Sequence, residues 1–125
     1  MTSGGRTGCR RWSEEAARHE ALAKEVTDKG RTVTAAEAYV RAAIYYHHGK
    51  HLFSGHADQW RAADESVVRC YARARRSSMR RCSDSRSPCE GVEIPGWLRK
   101  PRGGARSSVA IRSPGLDACK EELHA

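Results

Sequence analysis

The stretch from Thr34 to Phe53, TAAEAYVRAAIYYHHGKHLF, constrains this chain most, because it is apolar almost all the way round. Between Ala35 and Tyr46 only Glu37 and Arg41 carry charge. Thr34 followed by Glu37 has the spacing of a capping box. In that motif the hydroxyl accepts from the N–H of Glu37, and the carboxylate accepts from the N–H of Thr34. A helix is therefore predicted to begin at Thr34. Tyr39, Ala42, Ala43, Tyr46 and Phe53 share one helical stripe, whereas Val40, Ile44 and Leu52 lie off it, so this helix needs neighbours on more than one side. It reads as the central helix of a small helical unit.

Two amphipathic segments supply those neighbours. Ser13 is placed to cap a helix whose first turn holds Glu14 and Glu15, where negative charge complements the helix dipole. Trp12, Ala16, His19, Ala23 and Val26 follow with 4-3-4-3 spacing and end near Gly30, a C-cap candidate. His19 has no partner ligand at i±4 and reads as a packing residue. After a turn at SGHAD (54–58), a third helix is predicted over Ala57–Ala74. Its inward stripe is Trp60, Ala63, Val67, Tyr71 and Ala74, and Asp58, Arg61, Asp64, Glu65 and Arg69 face solvent. Three helices with short joins imply an antiparallel bundle or a solenoid-like stack.

At 125 residues and 38% hydrophobic content the chain suits one modest domain rather than a large enzyme core. Its five cysteines are odd in number and form no C-x-x-C pair, and MTSGGRTGCRRW contains no apolar signal region. Free thiols, a reducing cytoplasm and a soluble protein without a membrane partner are expected. Residues 1–11, small, polar and basic, are expected to be disordered. The net charge of +8 is unevenly placed: residues 1–72 carry 11 basic and 9 acidic side chains, residues 73–125 carry 12 and 6.

Chemistry is first sought in the cluster Tyr45, Tyr46, His47, His48, Lys50, His51 and His56. His47 and His51 at i, i+4 have a spacing that can hold zinc, but no Glu lies between them and Lys50 adds positive charge. No metal is assigned, and Tyr45, Tyr46 and Lys50 are kept as candidate pocket-lining residues, the tyrosines packing with their hydroxyls at a wet edge. From Arg73 to Pro88 the composition shifts to six Arg and five Ser without periodicity. Such a run can neutralise phosphates, yet no aromatic interleaves with the arginines to stack on bases. Residues 75–89 are read as a solvated linker, with no nucleic-acid partner.

Beyond it the periodicity changes. Val92, Ile94, Trp97 and Leu98 surround Pro95-Gly96, a turn is expected at KPRGG (100–104), and SVAI (108–111) is rich enough in β-branched residues for a strand. Ser113-Pro114-Gly115 breaks that strand, and Asp117 to His124 reads as the start of a helix. This is the pattern of an opening α/β sheet.

Taken together, HEALA, TAAEAYVRAAIYYHHGKHLF, VVRCYARA, EGVEIPGWLRKP and PGLDACKEELHA resemble the N-terminal part of α/β-hydrolase-fold enzymes of the dihydroxypseudooxynicotine hydrolase and esterase-like type. The resemblance covers residues 12–74 and 90–125. It implies a fold class that is mainly α, a three-helix cap-like unit (12–74), then the linker (75–89) and the first strands of an α/β-hydrolase sheet (90–125), a truncated α/β arrangement. It also implies a serine nucleophile acting on a small-molecule carbonyl or ester, without a cofactor, and places Gly115, Leu116 and Asp117 in the loop that presents backbone N–H groups to an oxyanion. No G-x-S-x-G nucleophile elbow occurs in these residues, nor the acid and histidine that follow it. The expectation is an N-terminal hydrolase fragment, inactive alone. The alternative is a helical protein-interaction module whose basic tail meets an acidic partner or nucleic acid, although no 34-residue period recurs. The oligomeric state is left open.

Overall fold

The structure, a computed structural model, describes residues 3–52, 55–77, 81–100, 103, 106 and 108–114. Its elements are three helices, α1 (Ser3–Asp28), α2 (Thr32–Leu52) and α3 (Ala57–Ser77), followed by two antiparallel strands, β1 (Arg81–Cys89) and β2 (Val92–Lys100). The chain divides into two compact units, Met1–Ser78 and Met79–Ala125.

In the first unit α2 is the central element: α1 and α3 each pack mainly against it and only slightly against each other. Contacts along the helices run in opposite senses, Trp12 meeting His48 while His19 meets Tyr45, and Lys50 meeting Asp64 while Tyr39 lies under Arg73. Neighbouring helices are therefore antiparallel. The core is built from small residues on the expected stripes. Ala16, Ala23, Ala35 and Ala42 are wholly buried, joined by Tyr39, Ala43, Tyr46, Ala63, Val67, Cys70, Tyr71 and Ala74. Small side chains bring helix backbones close. At Gly49 an added Cβ would stand 3.0 Å from Trp12 Cβ and 3.4 Å from the Cys9 carbonyl oxygen.

The join between α1 and α2 is a Schellman turn. Gly30 adopts φ 73°, its N–H donates to the Thr27 carbonyl at 2.9 Å, and the Arg31 N–H donates to the Val26 carbonyl at 3.0 Å. A left-handed residue is needed at that position, and glycine takes it without steric cost. The Ala35 N–H then donates to the Arg31 carbonyl at 3.0 Å. Arg31 thus occupies the N-cap, α2 begins at Thr32, and Thr34 and Glu37 lie inside the helix instead of forming a capping box.

Two boundaries of this unit differ from expectation. Residues 3–11, expected to be disordered, are the first turns of α1, because Cys9 is 2% exposed, seated beside Gly49. Tertiary contact here overrides the helix-weakening glycines at the N-terminus. At the other end α3 continues to Ser77, with Arg75 and Arg76 in its last turn where positive charge suits the helix dipole.

Among its described residues the second unit holds a hairpin, paired from Arg81↔Lys100 to Cys89↔Val92. The expected linker is thus corrected over 81–89: this arginine- and serine-rich run is a strand. Its cause is the two-residue turn, Glu90 at φ 47° and Gly91 at φ 82°, a pair of left-handed residues whose twist matches that of the flanking strands. Pro88 and Pro95 are tolerated because each strand of a two-stranded sheet keeps an outer edge. Lys100, expected to open a turn, ends β2. Residues 108–111, expected as a strand, lie in no strand or helix, with Val109 and Ile111 at 85% and 93% exposure. The expected helix from Asp117 to His124 lies outside the described residues.

Candidate functional site

Polar and aromatic groups gather at three places within the helical unit. The first is an aromatic seam between α1 and α2. Trp12 lies 5.4 Å from Tyr45 and 5.5 Å from His48 between ring centroids, and His19 stacks on Tyr45 at 5.1 Å. His47, buried, stacks on His51 at 5.9 Å. Among the described residues no group of three or more His, Cys, Asp or Glu side chains is placed to hold a metal ion. His19 packs against the ring of Tyr45.

The second place joins all three helices at Glu20. Its carboxylate accepts two bonds from Arg69, Nε at 3.1 Å and Nη2 at 3.0 Å, a third from Arg73 Nη1 at 3.2 Å, and a long one from the Tyr46 hydroxyl at 3.3 Å. Bidentate guanidinium–carboxylate pairing is directional as well as attractive. The Arg69 bonds hold the Glu20 carboxyl below its ordinary range, against the opposing effect of burial. Burial, followed by the negative charge of Glu20, pushes both the Tyr46 phenol and the Cys70 thiol up to about 12. Both are neutral at physiological pH, so Cys70 is an inert packing thiol rather than a nucleophile.

The third place is a cleft of about 280 Å³, open to solvent, lined by Cys9, Arg10 and Ser13 of α1, Tyr46 of α2, and Gln59, Ala62, Ala63 and Ser66 of α3. Ser66 Oγ donates to the Ala62 carbonyl at 2.8 Å and accepts from Arg69 Nη2 at 3.2 Å. That hydroxyl is therefore tied to the helix and to a guanidinium. Gln59 Oε1 is buried without a hydrogen-bond partner.

The three side chains expected to line one pocket are divided among these places. Tyr46 reaches both the cleft and Glu20, whereas Tyr45 belongs to the aromatic seam. Lys50 is 6% exposed, pairs with Asp64 and sits 5.1 Å from the centre of the Trp60 ring. Only Tyr46 of the three lines the cleft. Gly115, Leu116 and Asp117 lie outside the described residues. Sequence reasoning did not single out Glu20 or Gln59; Arg69, expected on the solvent side, is exposed and from there reaches Glu20. The available signal was the i, i+4 pair Arg69 and Arg73, which asks for a carboxylate on a facing helix.

No helix is long and apolar enough to cross a membrane among the described residues. No family model matches the chain, and no solved structure matches it. Two curated proteins are similar to it: Alpha/beta hydrolase xenA of Xenoacremonium sinensis and Alpha/beta hydrolase gkaG of Penicillium citrinum. Each is 28% identical over 118 residues, covering 90% of this chain. The chain spans 28% of the length of each. The similarity to these two proteins, both named alpha/beta hydrolases, thus runs across nine-tenths of this chain.

Proposed function

We propose that these residues form the helical cap-like part and opening strands of a serine-type α/β hydrolase of the dihydroxypseudooxynicotine hydrolase and esterase-like kind. The substrate class is a small carbonyl compound or ester, in which an acyl bond, or a carbon–carbon bond next to a carbonyl, is hydrolysed in the cytoplasm. The observation that carries this reading is the similarity to two alpha/beta hydrolases along 90% of the chain. The order of elements, helices and then strands, supports it. So does the PGLD sequence, in which Gly115, Leu116 and Asp117 take the oxyanion loop, with the Leu116 N–H as donor. A donor of this kind is worth about 3–4 kcal/mol in a transition state.

Within this reading the 125 residues do not catalyse alone. Hydrolysis by this chemistry needs a serine at a strand-to-helix elbow, a histidine to take its proton and a carboxylate to orient that histidine. No G-x-S-x-G motif is present, and Ser66 is engaged with a backbone carbonyl and Arg69. The other reading, a helical module with a basic tail, loses weight because Arg86 of the basic run sits in a paired strand and faces Glu93 at 3.4 Å. Treatment of the purified chain with a fluorophosphonate, alongside an ester-hydrolysis assay, tests the proposal. Neither labelling nor turnover is expected, and stoichiometric labelling of any serine, Ser113 included, overturns the assignment as an inactive part.

A further inference from the structure

We propose that the outer face of α2 is a self-association surface, on which a second copy of this chain docks with its own α2 antiparallel to the first. The inference does not rest on the hydrolase reading, because the face belongs wholly to the helical unit.

The placement of α1 and α3 defines this face. Tyr45, Tyr46 and Gly49 are turned towards α1, where they meet Trp12, Glu20 and Cys9, and Tyr39 and Lys50 are turned towards α3, where they meet Arg73 and Asp64. At about 100° per residue, Val33, Glu37, Val40 and Ile44 fall in a sector about 60° wide that points away from all five. Val33 is 54% exposed, Val40 and Ile44 are half-buried, and Glu37 and Arg41 are exposed. The 4-3-4 spacing of Val33, Glu37, Val40 and Ile44 is that of a two-helix seam. An apolar seam beyond the one that packs on α1 and α3 calls for a further neighbour.

Charge identifies that neighbour as a second copy. Glu37 and Arg41 lie one turn apart, and neither takes part in the ion pairs among the described residues. Two copies of α2 set antiparallel about a two-fold axis at the height of Tyr39 bring Val40 against the partner's Val40. With a rise of about 1.5 Å per residue, Val33 then lies within about 2 Å of the height of the partner's Ile44, and Glu37 comes level with the partner's Arg41. Both contacts occur twice, once on each side of the axis. Arg41 borders the seam on the same side as Glu37, so the two ion pairs run along one rim of an apolar centre. A parallel pair would instead set Glu37 against Glu37 and Arg41 against Arg41, and like charges across an interface reject that arrangement. The contact covers three turns, residues 33–44, which falls short of the about 1,200 Å² at which stable interfaces begin, so the association is weak and reversible.

Sedimentation equilibrium of the 125-residue chain between about 10 µM and 1 mM tests the proposal. The weight-average mass should climb from that of one chain towards that of two. Val40→Glu sets like charges against each other on the axis and should hold the chain monomeric, with helical circular dichroism unchanged. Glu37→Arg alone, or Arg41→Glu alone, should weaken association about tenfold, because like charges replace both ion pairs. The double variant Glu37→Arg/Arg41→Glu should restore it. Ile94→Asp, on the exposed apolar face of β2, should leave it unchanged. A single-chain mass throughout the range, a double variant no better than the single ones, or association lost in Ile94→Asp and kept in Val40→Glu would each overturn the proposal.

Discussion

The helical unit and the hairpin bury their apolar side chains to very different degrees. In the helices the stripe positions Ala16, Ala42, Val67 and Cys70 are at most 1% exposed, whereas Val92, Ile94 and Leu98, which share one face of β2, are 64%, 51% and 43% exposed. Two helices packed on a central third cover it from both sides, so the first unit closes its own core. A two-stranded hairpin has no second layer and is marginal by itself in water. The contrast is between one part satisfied by its own packing and another whose apolar side chains on β2 stay exposed.

The largest effect is expected at the centre of the helical unit. Ala43 is 5% exposed, and Ala43→Arg places an unpaired charge among packed helices, at a cost of about 3 kcal/mol or more. Chemical denaturation of the variant measures it. A midpoint equal to that of the parent would remove α2 from its central role.

A smaller loss follows from Glu20→Gln, which leaves Arg69 and Arg73 without their carboxylate and costs about 1–2 kcal/mol near neutral pH. Because the Glu20 carboxyl is held below 4.5 in the folded protein, chiefly by Arg69, its stabilisation is present above that unfolded value and is lost as pH falls through the folded one. The parent should therefore lose stability on acidification below 4.5, and Glu20→Gln should flatten that part of the curve. Tyr46 and Cys70 act at the other extreme. With folded values raised to about 12 from 10.0 and 9.0, their contributions hold below those unfolded values and fade as pH climbs towards about 12.

The smallest effect belongs to the hairpin. Ile94→Thr keeps a β-branched residue at an exposed position, so thermal unfolding of the chain should shift by less than about 0.5 kcal/mol equivalent. A loss comparable to that of Ala43→Arg would mean that the face of β2 is covered.

Legibility in the sequence followed the same division. Helical periodicity identified Ala16, Ala23 and Val26, then Tyr39, Ala42, Ala43 and Tyr46, then Ala63, Val67, Tyr71 and Ala74, and all are buried. Trp12 and His19 of the first stripe are only half-buried, Phe53 lies outside the described residues, and Trp60 is 40% exposed, since it stands in the first turns of α3 and covers Lys50 with its ring face. The strand β1 was not legible, because RCSDSRSPC has neither alternation nor β-branched residues. It is held by register with β2 and by the left-handed pair Glu90-Gly91. The candidate pocket residues part for a geometric reason. Tyr45 and Tyr46 are neighbours in sequence but about 100° apart on a helix, so one meets α1 and the other reaches the cleft. Gln59 gave no sequence signal, because an unpaired buried oxygen is a property of three-dimensional packing alone.

Amide hydrogen exchange of the intact chain tests the central contrast most directly. Protection rises with burial and with membership of a cooperative core, so amides of α2 between Ala38 and Lys50 should exchange at least ~100-fold more slowly than those of β1 and β2. Equal protection in Ala38–Lys50 and in Val92–Lys100 would contradict the account, because it would make the hairpin part of the same closed core as the helices.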